Sequence, residues 1–240
     1  MRQKKIYFFI ILFMVAPLET RDREFENIYF RVNLGNDKPM AVASSYLKEP
    51  GKRNDLYHAR NLVDGSLTSS WCTSKKKGIG ETLYIPFYKT FNHSFINSKN
   101  KKHVITIRIS NGYGGNPELF QKNNRAKKMS LEIYQLAYTD TVDINDETFP
   151  NYPRIIMEGP ILNSKHEIEF EDNPSSCDID IPIELSMPQG EIAKFAWPDL
   201  FLKFTILEIY PGSKYDDLCI AEMAVYGESI RLPPPLHPAR

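Results

Sequence analysis

Residues 201–227, FLKFTILEIYPGSKYDDLCIAEMAVYG, decide the fold. Phe201 to Tyr210 is rich in aromatic and β-branched residues, the composition of a strand. Pro211-Gly212-Ser213 breaks it, and Ser213 to Asp217 reads as a loop. Leu218 to Tyr226 reads as a second strand, closed by Gly227. A closing strand of this kind pairs inside a sheet and holds the loop before it at one end of the molecule. Loops on a rigid β scaffold are where binding residues concentrate.

The rest of the chain agrees. Its 240 residues suffice for one sizeable domain. A domain near 200 residues buries roughly 70% of its unfolded surface, so a core forms without metals or staples. Basic and acidic residues balance at 30 each, which removes the electrostatic footprint of a nucleic-acid binder. Turn residues are frequent, with 17 Pro and 12 Gly between short alternating runs, and helical and repeat signals are weak. Strands are expected at Met40–Ser44, Thr82–Phe87, His103–Ser110, Met129–Tyr138, His166–Glu171 and Ile179–Leu185. Residues 119–128 read as a connection into the fourth of these. Residues 139–163 and 172–178 read as variable loops, and 186–199 as a loop whose Trp197 joins the core.

The N-terminus reads as an address. Arg2, Lys4 and Lys5 precede an apolar run of 13 residues, Ile6 to Leu18. A membrane span needs about 20 residues, so this length fits a signal peptide, cleaved between Pro17 and Arg23, with an uncleaved anchor as the alternative. The expected organisation is a signal peptide and linker over 1–23, a β-sandwich over 24–228 and a proline-rich disordered tail over 229–240. The chain is expected to be secreted, periplasmic or on the cell surface. Export permits one disulfide among the three cysteines, and Cys72–Cys219 is the pair expected. The alternative is three buried thiols. The absence of a C-x-x-C spacing argues against zinc and thioredoxin chemistry.

Three stretches resemble one family. Ile206 to Gly227 contains Y-P-G-x-x-Y-D-D-x-C-I-x-E, which is similar to the closing strands of the NADase-type glycan-binding (NADase translocation) domain. Asn61-Leu62-Val63-Asp64-Gly65-Ser66-Leu67-Thr68-Ser69-Ser70-Trp71 resembles the N-L-x-D-G…W signature of discoidin-like and fucose-lectin-like sandwiches. The run I-S-N-G-Y…L-F-x-K-N-N-R-x-K-K, starting at Ile109, and the step Gly78-Ile79-Gly80-Glu81 resemble the same family. The resemblance implies an all-β, jelly-roll β-sandwich of the galactose-binding-like, discoidin-like kind. From the residues themselves, Asp64-Gly65 is a turn pair, Leu62 and Val63 point into the core, and Trp71 caps the end of the sandwich with its indole N–H near the surface.

Catalytic residues are not expected. The five histidines His58, His93, His103, His166 and His237 stand in no H-E-x-x-H, and G-x-S-x-G is absent. Asp216 and Asp217 point opposite ways on an extended chain and so would not flank one bond. Sugars instead need an aromatic under their apolar face and fixed polar groups for their hydroxyls. Asn111, Tyr113, Arg125, Lys214, Tyr215 and Asp216 supply those types, and the resemblance places them in the family's motif loops. The reading alongside it is that Asn111, Arg125 and Asp216 stabilise the loops. A glycan or glycoconjugate is therefore the expected partner. The alternative is a protein- or membrane-adhesion module of the discoidin kind, with the polar loops disfavouring membrane contact. The resemblance also implies a structural Ca²⁺ on Asn61, Asp64, Ser66 and Glu222. Oxygen ligands from a tight turn suit a hard cation. Otherwise Asp64 caps its own turn.

Overall fold

A computed structural model of the chain describes residues 41–87, 102–141, 154–184 and 196–227. The segments expected to be signal peptide and tail lie outside these residues, as does most of the acidic run 140–147. Among the described residues no helix is long and apolar enough to cross a membrane.

Among the described residues, nine strands form two antiparallel sheets. They are β1 (Val42–Ala43), β2 (Trp71–Cys72), β3 (Thr82–Phe87), β4 (Lys102–Asn111), β5 (Arg125–Thr141), β6 (Arg154–Glu169), β7 (Cys177–Glu184), β8 (Ala196–Tyr210) and β9 (Cys219–Gly227). One sheet has the order β1-β3-β8-β5-β6, the other β2-β9-β4-β7. The described residues also contain a 3₁₀ turn at Ala59–Leu62 and α1 at Pro117–Lys122. The molecule is an all-β jelly-roll sandwich of discoidin-like type.

The period-two pattern sets the layers. In β4, His103, Ile105, Ile107 and Ile109 are buried while Lys102 and Val104 face solvent. The isoleucines meet Met129, Leu131 and Ile133 of β5 and Leu202, Phe204 and Ile206 of β8 in one core. On the outer face of β4 the register brings Arg108 opposite Asp178 and Thr106 opposite Asp180. The Arg108 guanidinium donates to the Asp178 carboxylate at 2.7 and 2.8 Å, and the Thr106 hydroxyl to Asp180 at 2.6 Å. Such cross-strand polar pairs hold register, because a one-residue slip would turn every isoleucine outward.

Cys72 and Cys219 face each other across the β2–β9 register and are joined in a disulfide. Cys177 is a free, half-buried thiol. Trp71 departs from expectation. It is fully buried, and its indole N–H donates to the Ser45 carbonyl at 2.8 Å, so it is core and not a surface cap. Glu81, last of the Gly-Ile-Gly-Glu step, is also fully buried. It accepts from the Ser44 and Ser45 hydroxyls at 2.6 and 2.8 Å, with Lys75 Nζ at 3.2 Å. That motif therefore anchors a loop to the β1 strand.

Three boundaries also differ. Residues 117–122 form α1, because the Asn116 side chain accepts from the N–H groups of Glu118 and Leu119 and Pro117 pre-sets the first turn. Strands β5 and β6 run on to Thr141 and back from Arg154, pairing through a stretch expected as a variable loop. Residues 196–199, expected in a loop, belong to β8 and pair with β5.

Candidate functional site

The site is built where β4 ends. The β4–β9 register slips between Ser110 and Asn111, and the chain then turns through Gly112 at φ +79°. A Cβ at Gly112 would lie 2.5 Å from the Phe120 ring, so only glycine lets α1 close over the loop. Gly114 approaches closer still: its Cβ would lie 2.0 Å from the Leu67 carbonyl oxygen and 2.6 Å from Ala221 Cβ. Gly114→Ala is thus expected to push the loop off its seat and lower stability by about 1–3 kcal/mol in urea unfolding. A stability within a few tenths of wild type would show that the loop can shift freely.

This packing leaves a cavity of about 410 Å³. Its polar lining includes Tyr113, Asn116 and the hydroxyls of Ser110, Ser175 and Ser176. Leu67, Pro117 and Pro174 make apolar walls. The Ser110 and Ser176 hydroxyls share a 2.8 Å-class hydrogen bond, 2.7 Å long, across the β4–β7 end. Tyr113 is half-buried, and burial followed by the nearby Glu49 carboxylate pushes its phenol up. Tyr57 stands beside it. Burial, Tyr113, Glu49 and Asp217 together push its phenol up to about 12. Burial likewise raises Asp217, with Glu49 and Asp216 adding to the shift. Tyr57, Glu49 and Asp217 thus lie near one another and near Tyr113, outside the cavity lining.

The residues singled out in the sequence divide. Tyr113 and Asn111 line the cavity. Asn111 is buried, and its side chain is fully engaged by the main chain: Nδ2 donates to the Ala126 carbonyl at 2.6 Å, and Oδ1 accepts from Gly112 and Ala126 N–H groups at 3.0 Å. Arg125 is buried outside the lining and forks onto Asp172. Lys214, Tyr215 and Asp216 lie on the exposed β8–β9 loop, also outside the lining. There Lys214 Nζ sits 5.2 Å from the centre of the Tyr215 ring, and Asp216 pairs with Lys76 at 3.4 Å. Sequence reasoning passed over Glu49, Tyr57 and the Ser175–Ser176 wall, and weighed Asp217 only as half of an acid pair with Asp216. Asp217 sits inside the quoted closing motif. The serines reach the site only through the β4–β7 register, which no local pattern shows.

The Asp64-Gly65 turn takes the expected form, with Gly65 at φ +76° and Asp64 Oδ1 accepting from Ser66 N–H at 2.9 Å. Asp64 Oδ2 accepts from the Ser69 hydroxyl at 2.6 Å. The buried Glu222 of β9 reaches the same turn and accepts from Gly65 N–H at 3.1 Å. Burial, then the Asp64 carboxylate, pushes Glu222 up to about 8, while the Gly65 and Ser66 N–H groups pull the other way. Asn61 is buried, with Nδ2 donating to the Leu56 and Ser70 carbonyls at 2.7 and 2.9 Å. The Ser66 hydroxyl pairs with that of Thr68 at 2.8 Å. Two carboxyl groups close enough to disfavour joint ionisation suit a hard cation between them. Asp64 and Glu222 thus bring two carboxyl groups to one turn, while Asn61 Nδ2 and the Ser66 hydroxyl are held by other partners.

A grouping of Cys72, Asp217 and Cys219 lies nearby, but its sulfurs are joined to each other and it offers a metal only one carboxylate. His58 accepts from Arg60 N–H at 3.2 Å and meets the Tyr46 ring edge-on at 4.8 Å, the pattern of a structural histidine.

Fold and loop architecture define a discoidin-like β-sandwich module. The chain belongs to the NAD glycohydrolase translocation F5/8 type C domain family, whose model matches residues 35–226. Solved structures with a similar strand arrangement include the family 32 carbohydrate-binding module from Clostridium perfringens NanJ in complex with galactose. It is 15% identical, covers 77% of this chain and 90% of its own, and has a TM-score of 0.34. The family 32 module from Streptococcus pneumoniae EndoD is 10% identical over 78% of this chain and 94% of its own, with a TM-score of 0.38. An f-lectin from striped bass serum, Morone saxatilis, is 14% identical over 78% and 46%, with a TM-score of 0.29. No curated protein matches the chain.

Proposed function

We propose that this chain is an exported, noncatalytic carbohydrate-binding module whose ligand enters the Tyr113 cavity. The observation that carries the reading is the cavity itself, which joins the aromatic rings of Tyr113 and Phe120, three serines and apolar walls. An aromatic face covers the C–H side of a sugar ring, while hydroxyls exchange hydrogen bonds with its rim. The disulfide supports passage through an oxidising compartment. Calcium, held by Asp64 and Glu222, would neutralise the carboxyl pair and fix the turn that carries Leu67 to the cavity wall.

The test is a glycan array of the purified chain, with and without calcium, beside Tyr113→Ala. Binding is expected to be selective and to fall at least tenfold in the variant, about 1.4 kcal/mol, with its unfolding curve retained. A folded, calcium-loaded chain that binds no glycan would overturn the reading and point to protein adhesion.

A further inference from the structure

Resting on that glycan reading, we infer that the Tyr113 cavity takes an uncharged sugar and rejects residues carrying a carboxylate or sulfate. The first ground is its lining. Apart from the Tyr113 phenol, every side chain on the cavity wall is apolar, amide or hydroxyl. The second is the neighbouring charge. The Glu49 carboxylate stands close enough to Tyr113 and Tyr57 to disfavour negative charge on both phenols, and Asp217 adds to this at Tyr57; an anionic sugar beside Tyr113 would meet the Glu49 charge.

The third ground is the fate of the nearby cations. Arg125 lies 5.1 Å from the ring of Phe120 in the cavity wall, yet Asp172 takes two of its nitrogens at 2.9 and 2.7 Å, and the Asn123 carbonyl accepts from the third at 2.9 Å. Lys122 is paired with Glu118, and Lys76 with Asp216. A sugar carboxylate or sulfate entering the cavity would shed water without gaining a counter-charge, and an unpaired buried charge is heavily disfavoured. Hydroxyls and C–H faces carry no such penalty. Discrimination arises here from what the pocket withholds as much as from what it offers.

The experiment measures affinities for matched pairs. Neutral oligosaccharides of galactose, glucose, mannose, fucose and the N-acetylhexosamines are each compared with their sialylated, uronate-capped or sulfated forms. The neutral member is expected to bind at least tenfold tighter where the charge falls on the bound residue. Two variants locate the effect. Ser175→Lys places an ammonium at the exposed edge of the wall and should raise the anionic-to-neutral affinity ratio at least fivefold. Glu49→Gln should raise it by a smaller factor that shrinks as salt is added. Anionic members bound as tightly as neutral ones, or a ratio indifferent to Ser175→Lys, would overturn the inference and leave the glycan reading standing. No binding by any member to the folded chain would overturn both.

Discussion

Replacing Arg125 with alanine is expected to cost about 3–5 kcal/mol of stability, because it dismantles the joint on which the binding end is hung. The guanidinium is 3% exposed. Its Nε and one terminal nitrogen meet both Asp172 oxygens at 2.9 and 2.7 Å. The other terminal nitrogen donates to the Asn123 carbonyl at 2.9 Å and the Pro211 carbonyl at 3.3 Å. The same group lies 5.1 Å from the centre of the Phe120 ring. One side chain thus ties together α1, the β6–β7 loop, the β8–β9 loop and the start of β5. Removing it leaves carbonyls and a carboxylate that lose charge-assisted donors. Arg125→Lys keeps the charge but cannot reproduce the fork, so it should recover less than half of the loss. Urea unfolding of Arg125→Ala, Asp172→Ala and the double variant checks this. Strong coupling is expected, with the double variant costing little more than either single one. Additive losses would show that the pair does not act as a unit.

Arg125 also shows what could be read from sequence and what could not. A buried arginine and a sugar-binding arginine present the same letter in the same polar loop. Only the position of Asp172, brought across by the return of β6, distinguishes them. Asn111 is the same case, since its partner Ala126 is reached through the fold. The sandwich itself was legible, because β4, β8 and β9 carry their alternation locally and the D-G turn needs one glycine with positive φ. The Cys72–Cys219 pairing was expected because export permits one disulfide, while the strand register that joins the two sulfurs is seen only in the fold. Helix α1 was not seen: six residues give no period, and its signal is confined to an asparagine cap followed by proline. The cavity drew on Leu67, Tyr113 and Ser176, which three loops bring together. Tyr113 alone could be picked out, as an aromatic on a glycine-rich loop.

The second large effect is a pH dependence set by Glu222. Its carboxyl group is buried beside Asp64 and is pushed from the usual value near 4.5 to about 8. The unfolded chain returns it to the ordinary range. Between these values the folded state binds the proton more tightly, so stability falls as pH rises. The contribution is fully present below about pH 4.5, is lost progressively toward pH 8, and stays lost above it. At about 1.4 kcal/mol per unit, the whole swing is on the order of 5 kcal/mol. In calcium-free buffer, the unfolding temperature should therefore be higher at pH 5.5 than at pH 8.5, once the other groups are normalised with Glu222→Gln. Glutamine keeps the shape and can still accept from Gly65 N–H, but it does not titrate. It should flatten this part of the profile and stabilise the fold above pH 8. Asp64→Asn removes the neighbouring charge and leaves the burial, so it should shallow the slope without abolishing it. Calcium separates the two possible neutralisers of the pair. If Asp64 and Glu222 hold the cation, millimolar calcium at pH 8 should restore most of the lost stability in the wild type and little in Glu222→Gln. A wild-type profile that superimposes on that of Glu222→Gln from pH 5 to 8.5 would mean that Glu222 ionises freely, and the carboxyl pair would then need neither proton nor metal.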